Sequence, residues 1–241
     1  MNKLFFSRPQ KNRALPVICV CVGQVIWGFS YLFTRIAQRS ASPTVVLSMR
    51  FLASWVIMTA LIWSGKKSFS LKGKNFRPLL ALALLEPPYY FFESYGVYYS
   101  NATFAGTVMA FAPVVGILAA MLFLGEKPTR RQKIFSLLPT AGVIIITSVG
   151  SSMGIVKPLG AIFLFASQIV AAGMKLYNKK SSEEFSSFER TYATVVANAI
   201  IFTIKSMIDL HGDVRAYAAP LGNPEYVFAL VILCVFLSLI H

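Results

Sequence analysis

Two carboxylates interrupt an otherwise apolar stretch of the chain, Glu86 and Glu93 of PLLALALLEPPYYFFESYGVYYS. Their seven-residue separation sets them two turns apart on one face of a helix. A carboxylate held in lipid costs a few kcal/mol on insertion scales, so each must face a cavity, a partner or a proton. Pro87 and Pro88 follow Glu86 and are predicted to break the helix there. Such a break frees backbone carbonyls, the device with which discontinuous helices of carriers build their sites. Tyr89, Tyr90, Phe91, Phe92 and Tyr95 would then form an aromatic wall beside the acids. The chemistry this supports is proton or cation coupling next to a small-molecule site. The alternative makes the two acids structural partners of Gln24, Arg50 or Lys175.

Gln24 and Gln168 are the other polar groups set deep in apolar runs. They could face each other across a cavity or serve as interhelical hydrogen-bonding glue. Trp27 and Tyr31 follow Gln24 on about the same helical face, where they would offer aromatic surface to a ligand or simply pack. Arg35, Arg50, Lys175 and Lys205 read as helix-end residues whose long side chains snorkel to the interface. The chain has no HExxH, GxSxG or P-loop pattern, so zinc hydrolysis, serine chemistry and ATP coupling find no support. Cys19, Cys21 and Cys234 lie in apolar runs and read as packing residues. His211 and His241 are too isolated for a metal site, and no cofactor is expected.

The elements that must position these groups follow from composition. Of 241 residues, 56% are hydrophobic and 13% charged, with a mean hydropathy of +0.64, more apolar surface than one soluble core of that length can hide. Runs long enough to cross a hydrocarbon core of about 30 Å recur between short polar breaks. They predict spans at about 15–37, 43–64, 78–99, 103–125, 132–149, 158–178, 189–208 and 225–241. Unalternating runs of this length are helices rather than barrel strands, so the expected class is an all-α membrane protein, a bundle of about eight transmembrane helices. The first apolar run is of spanning length and reads as a span, not a cleaved leader.

The formal charge of +14 is a topology signal. With the N-terminus in the cytoplasm, fifteen Lys and Arg fall in inside segments, among them Lys66, Lys67, Lys72, Lys74, Lys179 and Lys180. Three fall outside: Arg39, Lys157 and Arg215. Lys/Arg bias in short loops sets orientation, which places the chain in a cell membrane with a cytoplasmic N-terminus and anionic lipid at its basic loops. The cations are split among short loops without interleaved aromatics, so nucleic acid is not an expected partner. The lipid bilayer, a small-molecule substrate and a proton are.

Self-comparison reveals a weak, ordered repeat. An offset of 144 sets Gln24 and Ile26 against Gln168 and Val170, and Arg35 against Lys179. After a shorter connection, Arg50 meets Arg190. If the first unit, 1–150, has five spans, the second, 151–241, starts on the opposite side, and the two are inverted repeats. The second unit stops after its third span.

Trp27 and Gly28 with Arg35, the MRFL of Met49 to Leu52, and above all SNATFAGTVMAFAPVVGILAAMLFLGEKPTRRQ from Ser100 to Gln132 resemble the EamA-type transporters of the drug/metabolite transporter superfamily. The Ser100 to Gln132 stretch looks like that family's fourth helix, with Pro113 in its middle and LGEK at Leu124 to Lys127, and PTAGVIIITS is similar to its fifth. The resemblance implies a ten-helix carrier with both termini cytoplasmic that moves small metabolites such as amino acids or drug-like compounds, often outward. Against ten, the eight spans here point to a C-terminally truncated carrier. The alternative function is therefore a transport-inactive membrane fragment. Within the fourth span, Ala102, Gly106 and Ala110 form one row of small residues and Ala112, Gly116 and Ala120 another, allowing close helix approach. Pro113 can kink it, so Gly106, Pro113 and Gly116 are candidates for packing or gating.

Overall fold

The computed structural model describes residues 14–109, 111, 112, 114, 115, 117, 118, 121, 129, 130 and 157–240, with side chains from residue 22 to 234 of these, Gln24 excepted. Among the described residues the chain is helical and has no strand. The helices are α1 (Ala14–Ala37), α2 (Pro43–Trp63), α3 (Arg77–Tyr99), α4 (Ala102–Met109), α5 (Pro158–Ser181), α6 (Ser187–Asp209), the short α7 (Val214–Ala218) and α8 (Pro224–Ile240). Six of the eight expected spans coincide with α1, α2, α3, α5, α6 and α8 to within three residues. The expected 103–125 span opens as α4, and the 132–149 span lies outside the described residues.

By length and apolarity, α2, α5 and α6 can each cross a membrane, and α7 with its following 3-10 turn and α8 forms a fourth candidate, bent by 93°. Prolines open α2, α5 and α8 where a missing N–H costs nothing. A reciprocal capping box opens α6, with Ser186 Oγ accepting from the Glu189 N–H and Glu189 Oε2 from the Ser186 N–H. Its far end turns through left-handed Gly212 (φ 79°), whose N–H returns to the Met207 carbonyl at 2.8 Å.

One expectation is corrected at the double proline. Pro87 and Pro88 do not break the helix, because α3 runs through them from Arg77 to Tyr99. The proline ring's fixed φ is helical, and only the two i→i−4 bonds that Pro87 and Pro88 would have donated are lost, a change that neighbouring helices can absorb in a bundle.

Three antiparallel pairings build the bundle: α3 on α5, α2 on α6, and α1 on α8. On the first, Gly96 lies against Leu164 and Gly160 against the Tyr99–Ser100 backbone, so the helix axes approach closely. On the second, hydroxyls form a ladder: Thr44 donates to Asp209 Oδ2 at 3.1 Å, Ser48 meets Thr203 at 2.8 Å and Thr59 meets Tyr192 at 3.3 Å. On the third, Phe33 packs edge-on against Phe228, and Arg39 pairs with Glu225 at 3.3 Å. Apolar cores knit these pairs together: Ala37, Val46, Met49 and Tyr226 join α1, α2 and α8, while Phe51, Tyr90 and Phe202 join α2, α3 and α6.

Candidate functional site: buried carboxylates and a guanidinium

The α3 register aims Glu86 and Glu93 at different neighbours. Glu93, 7% exposed, accepts at Oε1 from the Tyr31 hydroxyl of α1 at 2.9 Å and from the Tyr89 hydroxyl one turn back at 2.5 Å. Glu86, half-buried, accepts at Oε2 from Asn198 Nδ2 of α6 at 2.7 Å. Asn198 is itself fully buried and also donates to the Thr194 carbonyl at 2.9 Å. Two hydroxyls on one carboxylate oxygen hold Glu93 firmly, whereas Glu86 is held from α6, by the Asn198 amide with the Thr194 side chain beside it.

Arg50 completes the cluster and corrects a second expectation. It does not snorkel to an interface: α2 begins at Pro43, which sets Arg50 two turns inside the bundle, 7% exposed. Its guanidinium lies 5.7 Å from the Phe51 ring centroid and 5.5 Å from that of Tyr90, within cation–π range. It is also close enough to act electrostatically on both Glu86 and Glu93, although it forms no ion pair within 4 Å among the described residues. Two buried polar atoms here lack a partner among the described residues, Arg50 Nε and Asn198 Oδ1. An unpaired buried donor or acceptor costs about 1–3 kcal/mol, so each of these two atoms calls for a polar partner.

The structure brings Tyr90, Glu86 and Glu93 near Arg50, joins Tyr31 to them through Glu93, and leaves the other candidates apart. Trp27, one turn before the buried Tyr31 on α1, is 43% exposed. Gln168, buried on α5, donates to Met109 Sδ of α4 rather than to either acid. The Gln24 side chain, Pro113 and Gly116 lie outside the described residues. A β-carbon added at Gly106 would meet no described atom within 4 Å. The aromatic run divides: Tyr89 and Tyr90 join the cluster, while Phe91, Phe92 and Tyr95 gather on Phe163 of α5. Lys175 is exposed, Lys205 pairs with Asp209 and Arg35 donates to the Tyr98 carbonyl, so none of these three contacts an acid of α3.

Asn198 and the buried position of Arg50 escaped the reading by sequence. An asparagine in an apolar run of α6 was a weak signal, and nothing local distinguishes an arginine seven residues into a helix from one at its end.

Several apolar helices of spanning length, packed around a buried charged cluster, define a multi-pass membrane protein whose interior is polar at one point. Residues 14–148 match the EamA-like transporter family, and the chain belongs to that family. It is 32% identical to the uncharacterized transporter YcxC of Bacillus subtilis (strain 168), over 95% of this chain and 75% of that protein. It is 22% identical to an uncharacterized transporter of Archaeoglobus fulgidus, over 82% of this chain and 71% of the other. The protein PagO of Salmonella typhimurium shares 29% identity over 44% of this chain and 35% of its own length. The chain is thus a membrane transporter by family.

Proposed function

We propose that the protein is a secondary carrier that exports or exchanges small polar metabolites, amino acids among them, with Glu86 as the proton-coupling carboxylate. The observation that carries this reading is a buried donor and a buried acceptor without partners among the described residues, Arg50 Nε and Asn198 Oδ1, on two residues that both act on the Glu86 carboxylate. A small substrate bearing both an acceptor and a donor satisfies both atoms. A proton added to Glu86 leaves Arg50 with Glu93 as its counter-charge, so protonation changes which groups compete for the substrate. Glu93, fixed by Tyr31 and Tyr89, is a positioning group with less effect on coupling. Tyr90 packs its ring against Arg50. Gln24, Trp27 and Gln168 line the path, and Gly106, Pro113 and Gly116 serve packing or gating in the fourth span.

The carrier is built from two inverted units, 1–150 and 151–241. Support comes from the reciprocity of helix pairing: the first, second and third helices of one unit meet the third, second and first of the other. A two-fold relation between units produces that pattern. The loop charge bias supports a cytoplasmic N-terminus in the cell membrane.

The test is counterflow in sealed liposomes with a panel of amino acids and aromatic cations. The expected result is saturable, pH-dependent exchange, with Glu86→Gln keeping expression and substrate protection while its flux no longer varies with pH. Flux in Glu86→Gln with an unchanged pH profile refutes the coupling role. Loss of folded protein in this variant overturns it in favour of a structural charge cluster, since abandoning a buried arginine is costly.

A further inference from the structure

The loop between α2 and α3 folds over the start of α6 and is strapped there. Glu189 Oε1 receives Lys74 Nζ at 2.7 Å and the Ser70 N–H at 3.2 Å, and the Asn75 N–H donates to Glu184 at 2.5 Å. Phe69 packs on Tyr192 with ring centroids 5.1 Å apart. Beneath this strap lies a cleft of about 540 Å³ whose composition is graded. Met58 and Leu61 form an apolar floor, and Lys66, Lys67, Ser186 and Ser187 form a polar mouth.

The charge at the mouth is uncompensated. Lys66 and Lys67 form no ion pair among the described residues, and Lys67 Nζ lies 5.8 Å from the Phe188 ring centroid. The nearby carboxylate of Glu189 is spent on Lys74 and on the Ser70 and Ser186 amides. Trp63 ends α2 at 87% exposure, three residues before Lys66, and Val56 on the same outward face is also exposed. A fully exposed tryptophan between an apolar helix face and a lysine pair marks the membrane–water boundary. The mouth of the cleft therefore sits at headgroup depth; Met58 closes its floor against the core, and Leu61 adjoins Ile57, one turn back, which is 43% exposed on the lipid-facing side of α2.

The geometry points to this cleft as a binding site for the phosphodiester headgroup of an anionic phospholipid, with Lys66 and Lys67 on the phosphate and the acyl chains along the apolar face of α2. The apolar floor and the adjoining helix face select a lipid over free phosphate, which would use only the mouth. Because one wall is the strapped loop and the other is α6, an occupied cleft holds the two together.

The experiment places the full chain in nanodiscs of phosphatidylcholine with or without phosphatidylglycerol, reads the unfolding temperature, and counts retained lipid by native mass spectrometry. Phosphatidylglycerol is expected to raise the unfolding temperature and to be retained. In Lys66→Gln/Lys67→Gln the rise disappears and retention weakens on the order of tenfold or more, as for two interfacial lysines, while the unfolding temperature in phosphatidylcholine is unchanged. Lys66→Arg/Lys67→Arg restores both, and Lys157→Gln, at the start of α5, leaves both intact. An undiminished rise in Lys66→Gln/Lys67→Gln, or an equal loss in Lys157→Gln, overturns the site in favour of diffuse surface charge. A rise reproduced by inorganic phosphate in phosphatidylcholine discs, without lipid retention, overturns the lipid as its occupant. If the glutamine pair fails to fold, single Lys66→Gln and Lys67→Gln variants, each expected to lose part of the retention, decide in the same way.

Discussion

The Tyr31 hydroxyl donates to Glu93 Oε1 at 2.9 Å, joining α1 to α3 across 62 residues of sequence. Because Glu93 also receives Tyr89, the link is one of two on the same oxygen. Tyr31→Phe is expected to cost about 1–2 kcal/mol, the range for a buried bond to a charged acceptor moderated by the membrane setting. In a Glu93→Met background the same change should cost close to nothing. Thermal unfolding in a fixed detergent closes this double-mutant cycle, and additive losses would show that the bond carries no coupling.

Gly160 is expected to tolerate no side chain. An added β-carbon would stand 2.9 Å from the Tyr99 carbonyl carbon, which is backbone and cannot rotate away. Gly160→Ala should therefore separate α3 from α5 at a cost of about 1–3 kcal/mol. Gly173→Ala on the same interface meets only Leu85 Cδ1 at 3.6 Å and should be nearly neutral. Unfolding midpoints of the two variants compare them directly, and equal midpoints would contradict the close approach at Gly160.

Glu189 and Lys74 should respond unequally although they share one ion pair of 2.7 Å. Lys74→Met removes that contact and the cation at 4.8 Å over the Phe185 ring, together about 1 kcal/mol for partly exposed groups. Glu189→Ala removes the pair, the Ser70 amide bond and half of the capping box together, so about 2–3 kcal/mol is expected. Limited proteolysis within residues 66–75 should accelerate more in Glu189→Ala than in Lys74→Met. Equal rates would mean that the carboxylate does not strap the loop.

Orientation can be read from single reporter cysteines in a background freed of Cys19, Cys21 and Cys234. With the proposed cytoplasmic N-terminus, an impermeant thiol reagent on intact cells should modify a reporter at His211 in the α6–α8 connection and leave one at Lys72 untouched. The opposite labelling pattern would reverse the topology.

Much of the helix layout was legible in the sequence. Six spans emerged to within three residues because a helix in lipid satisfies its own backbone, so length and apolarity suffice to mark it. The short α7 and its 3-10 turn were not legible, since a five-residue helix capped by Asp213 has no apolar period to detect. The double proline misled for a related reason. Composition records the missing N–H groups but not that α3 keeps its course through them.

For the site, the sequence by itself determined that Glu86 and Glu93 share an apolar helix and so must be neutralised, paired or hydrogen-bonded, a consequence of chain-local chemistry and the low dielectric of the bilayer. Only the tertiary structure decided which answer each received: Tyr31 and Tyr89 for Glu93, Asn198 for Glu86, and Arg50 drawn inside to lie over Phe51 and Tyr90. Those partners come from α1, α2 and α6 as well as α3 itself. Which helix faces meet depends on packing between segments far apart in the chain, 112 residues for Glu86 and Asn198, and no periodicity within one segment encodes it.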